Sequence, residues 1–361
     1  MKHLMSAIAL GAAVALAAAG PTHAAEANFA GKAIRIIVSY AAGGPVDLFG
    51  RLVARHLSAH LAGKPNTIVE NMPGAAGVVA ANYVYNVAPK NGTAILVTIA
   101  PFTTQYLGGR PVKFDSPKFY WLGAFNISQG TYANKILGVK KTADLLTTKT
   151  QVVIGGLGLN SSRDLRMRAF LEALGIKNYK YVSGYPGTLP ARDALIKGEV
   201  NFSDESVVAL AVDMASLVKD GTVVPLVQTG LTRQGKLVVD PRVPDMPIAE
   251  DEVVRLKGPA VRKSVEYRAL VMVTSMAAMG RAVMAPPGLD PAIAGALRKA
   301  VGALDSDPGF VKDSINVMGG EKVDLISGEE AQKFAEDIAG MVKSDKEANE
   351  YLNNLAKKKG G

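Results

Sequence analysis

The chain has 361 residues, no cysteine, 41 basic and 32 acidic side chains, and a formal net charge of +9. The lack of cysteine excludes disulfides, thiolate nucleophiles, thioether-linked haem and a lipoprotein anchor. The basic residues are dispersed, so nucleic acid is not the expected partner; an anionic small ligand, an anionic surface and general solubility all stay open as explanations of the charge.

The first residues have the pattern of an export signal. Lys2 is followed by an apolar run over 8–19, which is too short to span a membrane as a helix, and 22–24 offer small residues to a signal peptidase. We expect cleavage after Ala24 and a mature protein in the periplasm, with a membrane anchor as the alternative. The rest of the chain exceeds the usual size of a single core, which predicts two lobes.

Strands and helices then alternate. Apolar, β-branched runs at 34–38, 67–70 and 94–98 predict three strands, and the segments between them have helical periodicity. Strands separated by helices in this order indicate a parallel, doubly wound sheet. The last third is predicted to be helical over 291–304 and 328–355.

A glycine-rich loop follows the first strand. Residues 41–45 end the strand, and Pro45 and Asp47 favour the first turn of a helix. The apolar face predicted for this helix runs from Leu48 to Leu61.

The same construction returns in the middle of the chain. A strand is predicted at 151–154, a loop at 155–158, and capping side chains at 160–162. The helix that follows reaches Leu174 and is ended by Gly175. The chain therefore contains two strand, loop and helix units, one for each expected lobe.

Both units predict an anion-binding helix end. The first turn of a helix leaves backbone N–H groups unpaired, and the helix dipole adds partial positive charge there, so a carboxylate can bind without an arginine. Two such ends facing across a cleft would hold an anion and close on it. The alternative is that these are the ordinary turns that every doubly wound fold contains.

Catalytic and cofactor patterns are weak. His56 and His60 have the i,i+4 spacing of metal ligands, but no third ligand is specified nearby, so zinc is not expected. No nucleophile elbow or P-loop occurs, and the second loop misses the dinucleotide fingerprint because Ser161 occupies its third glycine position. Asp204 and Glu205 are adjacent and so point to different faces. We expect no catalytic residue, no metal and no cofactor.

A series of motifs runs in order along nearly the whole chain after the export signal. Residues 36–47 read I-I-V-S-Y-A-A-G-G-P-V-D, 69–77 read V-E-N-M-P-G-A-A-G, and 285–291 read A-P-P-G-L-D-P, with shorter matches at 88–93, 185–191 and 198–202. In these motifs the chain resembles the Bug family, the substrate-binding proteins of tripartite tricarboxylate transporters.

This resemblance implies a type II periplasmic-binding-protein fold, with two α/β lobes joined by a hinge. The expected organisation is a signal peptide at 1–24, a first lobe at 25–125, a second lobe at 126–245, and a return to the first lobe with C-terminal helices at 246–361. The implied function is capture of a mono-, di-, tri- or aromatic carboxylate, as a monomer, for a membrane permease. The alternative partner is a membrane sensor protein.

The expected ligand-binding residues come from the two loops and from the segments that the resemblance implies will line the cleft. They are Tyr40, Ala41, Ala42, Gly43, Gly44, Val46 and Asp47 in the first loop; Thr98, Ala100 and Pro101 after the third strand; Gly156, Gly158, Asn160, Ser161 and Ser162 in the second loop; and Tyr185 and Glu205.

The chain departs from the family pattern at several positions. Val46 replaces a hydroxyl residue, Asp164 a common histidine, and Glu205 a usual aspartate. Residues 255–279 look like an insertion or a rewritten segment, and the sequence does not show whether this segment covers the cleft or contacts a partner. Arg163 could bind a second carboxylate of the ligand, although we favour a solvated helix residue.

Overall fold

The computed structural model describes residues 27–107, 112–233, 236–318 and 322–358. The expected export signal and its cleavage site lie outside the described residues. The strands are β1 (Ala33–Val38), β2 (Asn66–Asn71), β3 (Ala94–Thr98), β4 (Tyr120–Phe125), β5 (Gln129–Asn134), β6 (Val152–Gly156), β7 (Tyr179–Ser183), β8 (Phe202–Ser206), β9 (Val223–Gln228), β10 (Leu231–Arg233), β11 (Lys236–Val238), β12 (Arg281–Ala285) and β13 (Leu325–Ser327).

The helices occupy the segments between the strands and the C-terminal part of the chain. They are α1 (Pro45–Leu57), α2 (Val78–Asn86), α3 (Phe102–Tyr106), α4 (Ser162–Ala173), α5 (Thr188–Ile196), α6 (Val207–Ala211), α7 (Ala215–Lys219), α8 (Ala249–Lys257), α9 (Val265–Ala277), α10 (Pro291–Ala303), α11 (Pro308–Met318), α12 (Gly328–Ser344) and α13 (Lys346–Lys357). No helix within the described ranges combines the length and the hydropathy that a membrane span requires.

Two sheets organise the chain. The first has the strand order β13-β4-β12-β3-β1-β2 and, with its helices, is called the first lobe here. The second has the order β7-β6-β8-β5-β9 and forms the second lobe. The chain passes from β4 to β5 through residues 126–128, which are buried, and returns after β9. The predicted α/β class with two lobes is confirmed.

The strands that were predicted to be parallel are parallel, and each sheet also contains antiparallel strands. β1 runs parallel to β2 and β3, and β6 runs parallel to β7 and β8, as the alternation of strands and helices indicated. However, β12 is antiparallel to β3 and β4, and β5 is antiparallel to β8 and β9. β5 follows the short crossing at 126–128 without the helical crossover that a parallel connection requires, whereas β12 follows α9.

Local predictions needed smaller corrections. Gly155 and Gly156 belong to β6 and pair with β7, so the second loop begins later than expected. The C-terminal helix is broken at Asp345, whose side chain accepts the N–H of Ala348 and caps α13. Leu48, placed on the apolar face of α1, is 43% exposed.

The segment 255–279 forms the end of α8, a short 3-10 helix and α9. Helix α9 packs against α4 of the second lobe and against α12 and α13, which follow the last strand of the first lobe. Its buried residues join a single apolar cluster that contains Leu96 and Trp121 near the first sheet and Ile154 and Phe202 in the second. Helix α9 therefore links the two lobes.

Candidate functional site

Asp47 fastens the first loop to its helix. Its Oδ2 accepts the N–H of Gly43 at 2.8 Å and Nε of Arg51 at 2.8 Å, and its Oδ1 accepts Nδ2 of Asn71 at 2.8 Å. Burial alone would raise the pKa of Asp47, but these donors outweigh it and lower the pKa. The carboxylate is therefore ionised and engaged inside the loop, so its oxygens are not free to bind a ligand.

The N-terminus of α1 has no side-chain cap. Gly44 is the N-cap residue, with extended backbone (φ −80°, ψ 167°), and Pro45 occupies the first helical position. Gly43, at φ 80°, takes the left-handed conformation that favours glycine. The first turn is therefore open at the carboxyl end of β1, where the predicted residues Tyr40, Ala41 and Ala42 lie.

The second loop is fastened in the same way. Oδ2 of Asp164 accepts the N–H groups of Leu157 at 2.7 Å and Gly158 at 2.8 Å, and the hydroxyl of Tyr181 at 2.9 Å. Gly156 is required by the ring of Tyr181, because a Cβ at position 156 would lie 2.6 Å from its Cζ. The loop therefore depends on Asp164 and Tyr181 of the same lobe.

Helix α4 also begins without a side-chain cap. Ser161 is the N-cap residue but makes no side-chain hydrogen bond to the first turn, although residues 160–162 were predicted to provide capping side chains. The prediction that Ser161 caps the helix was wrong. The N–H groups of the loop are accepted by Asp164 instead. Asn160 and Ser162 stay predicted ligand contacts.

The missing caps set these two helices apart. Six helices in the described ranges have twelve or more residues, namely α1, α4, α9, α10, α12 and α13. The last four have side-chain caps from Ser264, Asp290, Ser327 and Asp345. Only α1 and α4 among the six lack one, and these are the helices that follow the predicted binding loops. Their N–H groups are thus available to an external acceptor.

Arg163 is a buried structural residue rather than a solvated one, which corrects our expectation. It is 7% exposed, and its guanidinium donates to the carbonyls of Asp204 and Gly155 at 2.5 and 2.9 Å, to Oγ of Ser203 at 2.6 Å and to Oδ1 of Asp164 at 2.8 Å. It ties the start of α4 to β6 and β8. All three guanidinium nitrogens already donate within the protein, so we do not assign Arg163 to a second carboxylate.

The segment after β3 closes the same edge of the first sheet. Thr98 is 1% exposed and its Oγ1 accepts the hydroxyl of Ser39 at 2.6 Å. Ala100 and Pro101 are buried, and Pro101 is the N-cap residue of the short helix α3. Val46, in the first turn of α1, is buried as well. These buried side chains pack at the carboxyl ends of β1 and β3.

Tyr185 lies beside the second loop, because the N–H groups of Gly184 and Tyr185 donate to the carbonyl of Gly156 at 3.1 and 3.3 Å. Burial, with a smaller contribution from the charge of Glu199, raises the pKa of Tyr185, so its hydroxyl is protonated at neutral pH and can donate to an anion. The Tyr185 turn and the second loop are thus adjacent.

Glu205 is already paired. Its Oε1 and Oε2 accept the guanidinium of Arg192 at 2.6 and 2.9 Å, and the hydroxyl of Tyr132 is 3.4 Å from Oε2. Its neighbour Asp204 faces the other way and accepts Arg166 at 2.6 Å and Thr131 at 3.0 Å. The adjacent acids thus point apart, and each has its own arginine.

The sequence reasoning missed these arginines and also Arg281. Arg166 and Arg192 were invisible because their acidic partners are distant in the sequence. Arg281 begins β12, pairs with Phe125 of β4, and donates from Nη1 to the carbonyl of Gly280 at 2.9 Å. Nothing in its local sequence signals a site.

The two histidines stabilise a helix contact. His56 Nε2 of α1 lies 3.1 Å from Oδ2 of Asp313. His60, in the 3-10 helix that follows α1, has its Nε2 2.8 Å from Oδ2 of Asp307, so both rings contact the region of α11. Among the described residues, no group of three or more His, Asp or Glu side chains is arranged to hold a metal ion.

Comparisons of sequence identify two curated relatives. The chain is 30% identical over 190 residues to a UPF0065 protein of Agrobacterium vitis, and 36% identical over 118 residues to one of Cupriavidus necator. The matches cover 50% and 31% of this chain, and 52% and 35% of the relatives, so the chain spans about half the length of the first relative. No model of a known protein family matches the chain.

Comparisons of structure show the fold. The periplasmic binding protein BugD has a TM-score of 0.57 at 21% identity and covers 90% of this chain and 97% of its own. MatC of Rhodopseudomonas palustris with bound malate has a TM-score of 0.56 at 19% identity over 90% and 98% of the chains. Another R. palustris protein, with adipate, has a TM-score of 0.60 at 21% identity over 87% and 96%. The chain has the two-lobed fold of periplasmic binding proteins, and its resemblance to the Bug family is confirmed.

Proposed function

We propose that this protein captures a small carboxylate in the periplasm and delivers it to the permease subunits of a tripartite tricarboxylate-type transporter. The observation that carries the proposal is the pair of uncapped helix ends. α1 and α4 follow glycine-containing loops at the carboxyl ends of β1 and β6, the edge at which open α/β sheets bind ligands.

The charges around these ends favour an anion. Asp47, Asp164, Asp204 and Glu205 are buried, and each is neutralised by an arginine of its own lobe. The helix ends add partial positive charge to the first turns of α1 and α4. A carboxylate would receive backbone N–H groups from these first turns.

The named ligands of similar proteins agree with this chemistry. Malate is bound by MatC and adipate by the other R. palustris protein, and both ligands are small dicarboxylates. The similar proteins are binding proteins, so we propose capture without conversion.

A thermal-shift screen tests the proposal. Mono-, di-, tri- and aromatic carboxylates would each be compared with the corresponding neutral amide. We expect carboxylates to raise the melting temperature, since a ligand at 100 times its Kd adds about 2.7 kcal/mol of stability, and the amides to leave it unchanged. If only neutral solutes raised it, the proposed ligand class would be wrong. Pull-down from membranes with the best carboxylate would then recover a permease; recovery of a sensor protein instead would favour the alternative partner.

A further inference from the structure

Arg281 lies at the binding edge of the first lobe. It is the first residue of β12, and Ala282 pairs with Thr98 at the carboxyl end of β3. Because β12 is antiparallel to β3, its first residue lies at the edge where β1 and β3 end. Arg281 itself pairs with Phe125, the last residue of β4 before the chain crosses to the second lobe.

The side chain of Arg281 is on the sheet face that carries α1. Successive residues of a strand face opposite sides, so Arg281 shares a face with Val283, which packs in the same apolar cluster as Val46 and Phe49 of α1. Tyr40, the first residue of the first loop, packs against that same cluster. The side chain of Arg281 is therefore on the face of the first sheet at which the uncapped end of α1 begins.

Arg281 has no acidic partner within the described part of the chain. Its Nη1 donates to the carbonyl of Gly280 at 2.9 Å, while its Nε is shielded from solvent and has no hydrogen-bond partner. Arg163, Arg166 and Arg192, by contrast, each pair with a buried carboxylate. Burial lowers the pKa of Arg281 to about 10, so the group is still charged at neutral pH.

An uncompensated guanidinium in this position is costly unless a ligand supplies the counter-charge. A carboxylate accepts about four hydrogen bonds, and the N–H groups of two helix ends can supply them. The first carboxylate therefore does not need the guanidinium. The guanidinium can bind a separate anionic group through two parallel N–H donors.

We propose that Arg281 binds the second carboxylate of the ligand and makes the protein selective for dicarboxylates. This inference rests on the proposed function, and it adds the class of ligand and the residue that selects it. The first carboxylate occupies the helix ends, and the second pairs with Arg281 at the floor of the cleft.

Calorimetric titration with matched ligands tests the assignment. The probes are adipate and succinate, each compared with its monoamide, against the full-length mature protein. The variants are Arg281→Met, Arg281→Lys, and Arg298→Met as a control, because Arg298 is a half-buried arginine of the same lobe whose partners are Glu329 and the carbonyl of Trp121.

We expect the wild type to prefer at least one dicarboxylate over its monoamide by about 10- to 100-fold, the usual range for a hydrogen-bonded charge pair. Arg281→Met should abolish that preference while keeping the monoamide affinity, Arg281→Lys should restore part of it, and Arg298→Met should retain it. The melting temperature of ligand-free Arg281→Met should not fall, because the variant removes an unpaired charge.

Two results would overturn the assignment. One is equal binding of dicarboxylates and monoamides by the wild type, which would leave the proposed capture of carboxylates intact. The other is an Arg281→Met variant that keeps its preference or loses affinity equally for both ligands. A wild type that binds none of the carboxylates would instead contradict the proposed function itself.

Discussion

In both loop and helix units an aspartate of the helix accepts N–H groups of the preceding loop, but the two helices differ in burial. In each, the aspartate at the third helical position, Asp47 in α1 and Asp164 in α4, gathers N–H groups of the preceding loop. α1 exposes one side, and Arg51, the partner of Asp47, is 48% exposed. α4 is buried at every residue from Arg163 to Ala173. The same local contact should therefore contribute much more to stability in the second lobe.

The environment of α4 explains the difference. Its arginines meet acids or aromatic groups from distant parts of the chain, as when Arg166 pairs with Asp204 and Arg168 lies 5.1 Å from the ring centre of Tyr181. Helix α9 covers the remaining side. The second loop thus leads into a buried helix, whereas the first loop leads into a helix with an exposed side.

The largest expected effect is that of Asp164→Ala. The substitution leaves Arg163 without its carboxylate and the N–H groups of Leu157 and Gly158 without an acceptor, so we expect a loss of about 3 to 5 kcal/mol in the free energy of unfolding. Urea denaturation measures it.

Asp47→Ala is the matched comparison. Arg51 can return to solvent, so the loss should be about 1 to 2 kcal/mol. An Asp47→Ala variant that is destabilised as much as Asp164→Ala would break the distinction between the two units.

The next expected effect is a pH dependence of stability that arises from Glu250 of α8, which contacts α9. Glu250 of α8 is buried, accepts a hydrogen bond from Thr274 of α9, and has an Oε2 without a partner. Burial, aided by the nearby charge of Asp251, raises its pKa to about 7 against an ordinary value of 4.5.

Between those pH values the unfolded chain ionises Glu250 while the folded protein keeps it protonated, so stability falls as pH rises. The fall should total at most about 3 kcal/mol and be complete above pH 7. Denaturation of the wild type and Glu250→Gln from pH 4.5 to 8 should show that the variant lacks this component. Parallel pH profiles of the two proteins would assign the fall to other groups.

A smaller difference is expected between the stability costs of replacing Gly156 and Gly43 with alanine. In Gly156→Ala the new methyl group meets the ring of Tyr181, which should cost about 1 to 3 kcal/mol through overpacking. In Gly43→Ala the methyl group meets nothing within 4 Å, so the cost is limited to about 1 kcal/mol for the left-handed conformation. Thermal unfolding of both variants should give this order, and the reverse order would mean that the second loop can move away from Tyr181.

The sequence predicted what local chemistry determines. β3 was predicted with its observed bounds, and α1 begins at the predicted Pro45, because β-branched runs and proline act over a few residues. It did not predict that α4 is buried. Arg163, Arg166 and Arg168 have the composition of a solvated face, and their burial depends on acids in β8 and on α9, which are far away in the sequence.

In the candidate site, too, the features that depend on local chemistry could be predicted and those that depend on distant contacts could not. Glycine loops and helix starts could be placed from the sequence, since they follow from turn and capping chemistry. The role of Arg281 could not be predicted from the sequence. It depends on β12 running antiparallel beside β3, which brings Arg281 to the edge of the sheet near Tyr40, and on the absence of an acidic partner among the described residues.

The central claim is that a ligand carboxylate occupies the uncapped ends of α1 and α4, and Gly44→Asp tests it most directly. Gly44 has N-cap backbone geometry and space for a side chain, so the new carboxylate would cap α1 and compete with the ligand. Calorimetric titration with the best carboxylate should show at least about 10-fold weaker binding by Gly44→Asp, with unchanged or higher thermal stability. Unchanged affinity in a stably folded variant would contradict the account.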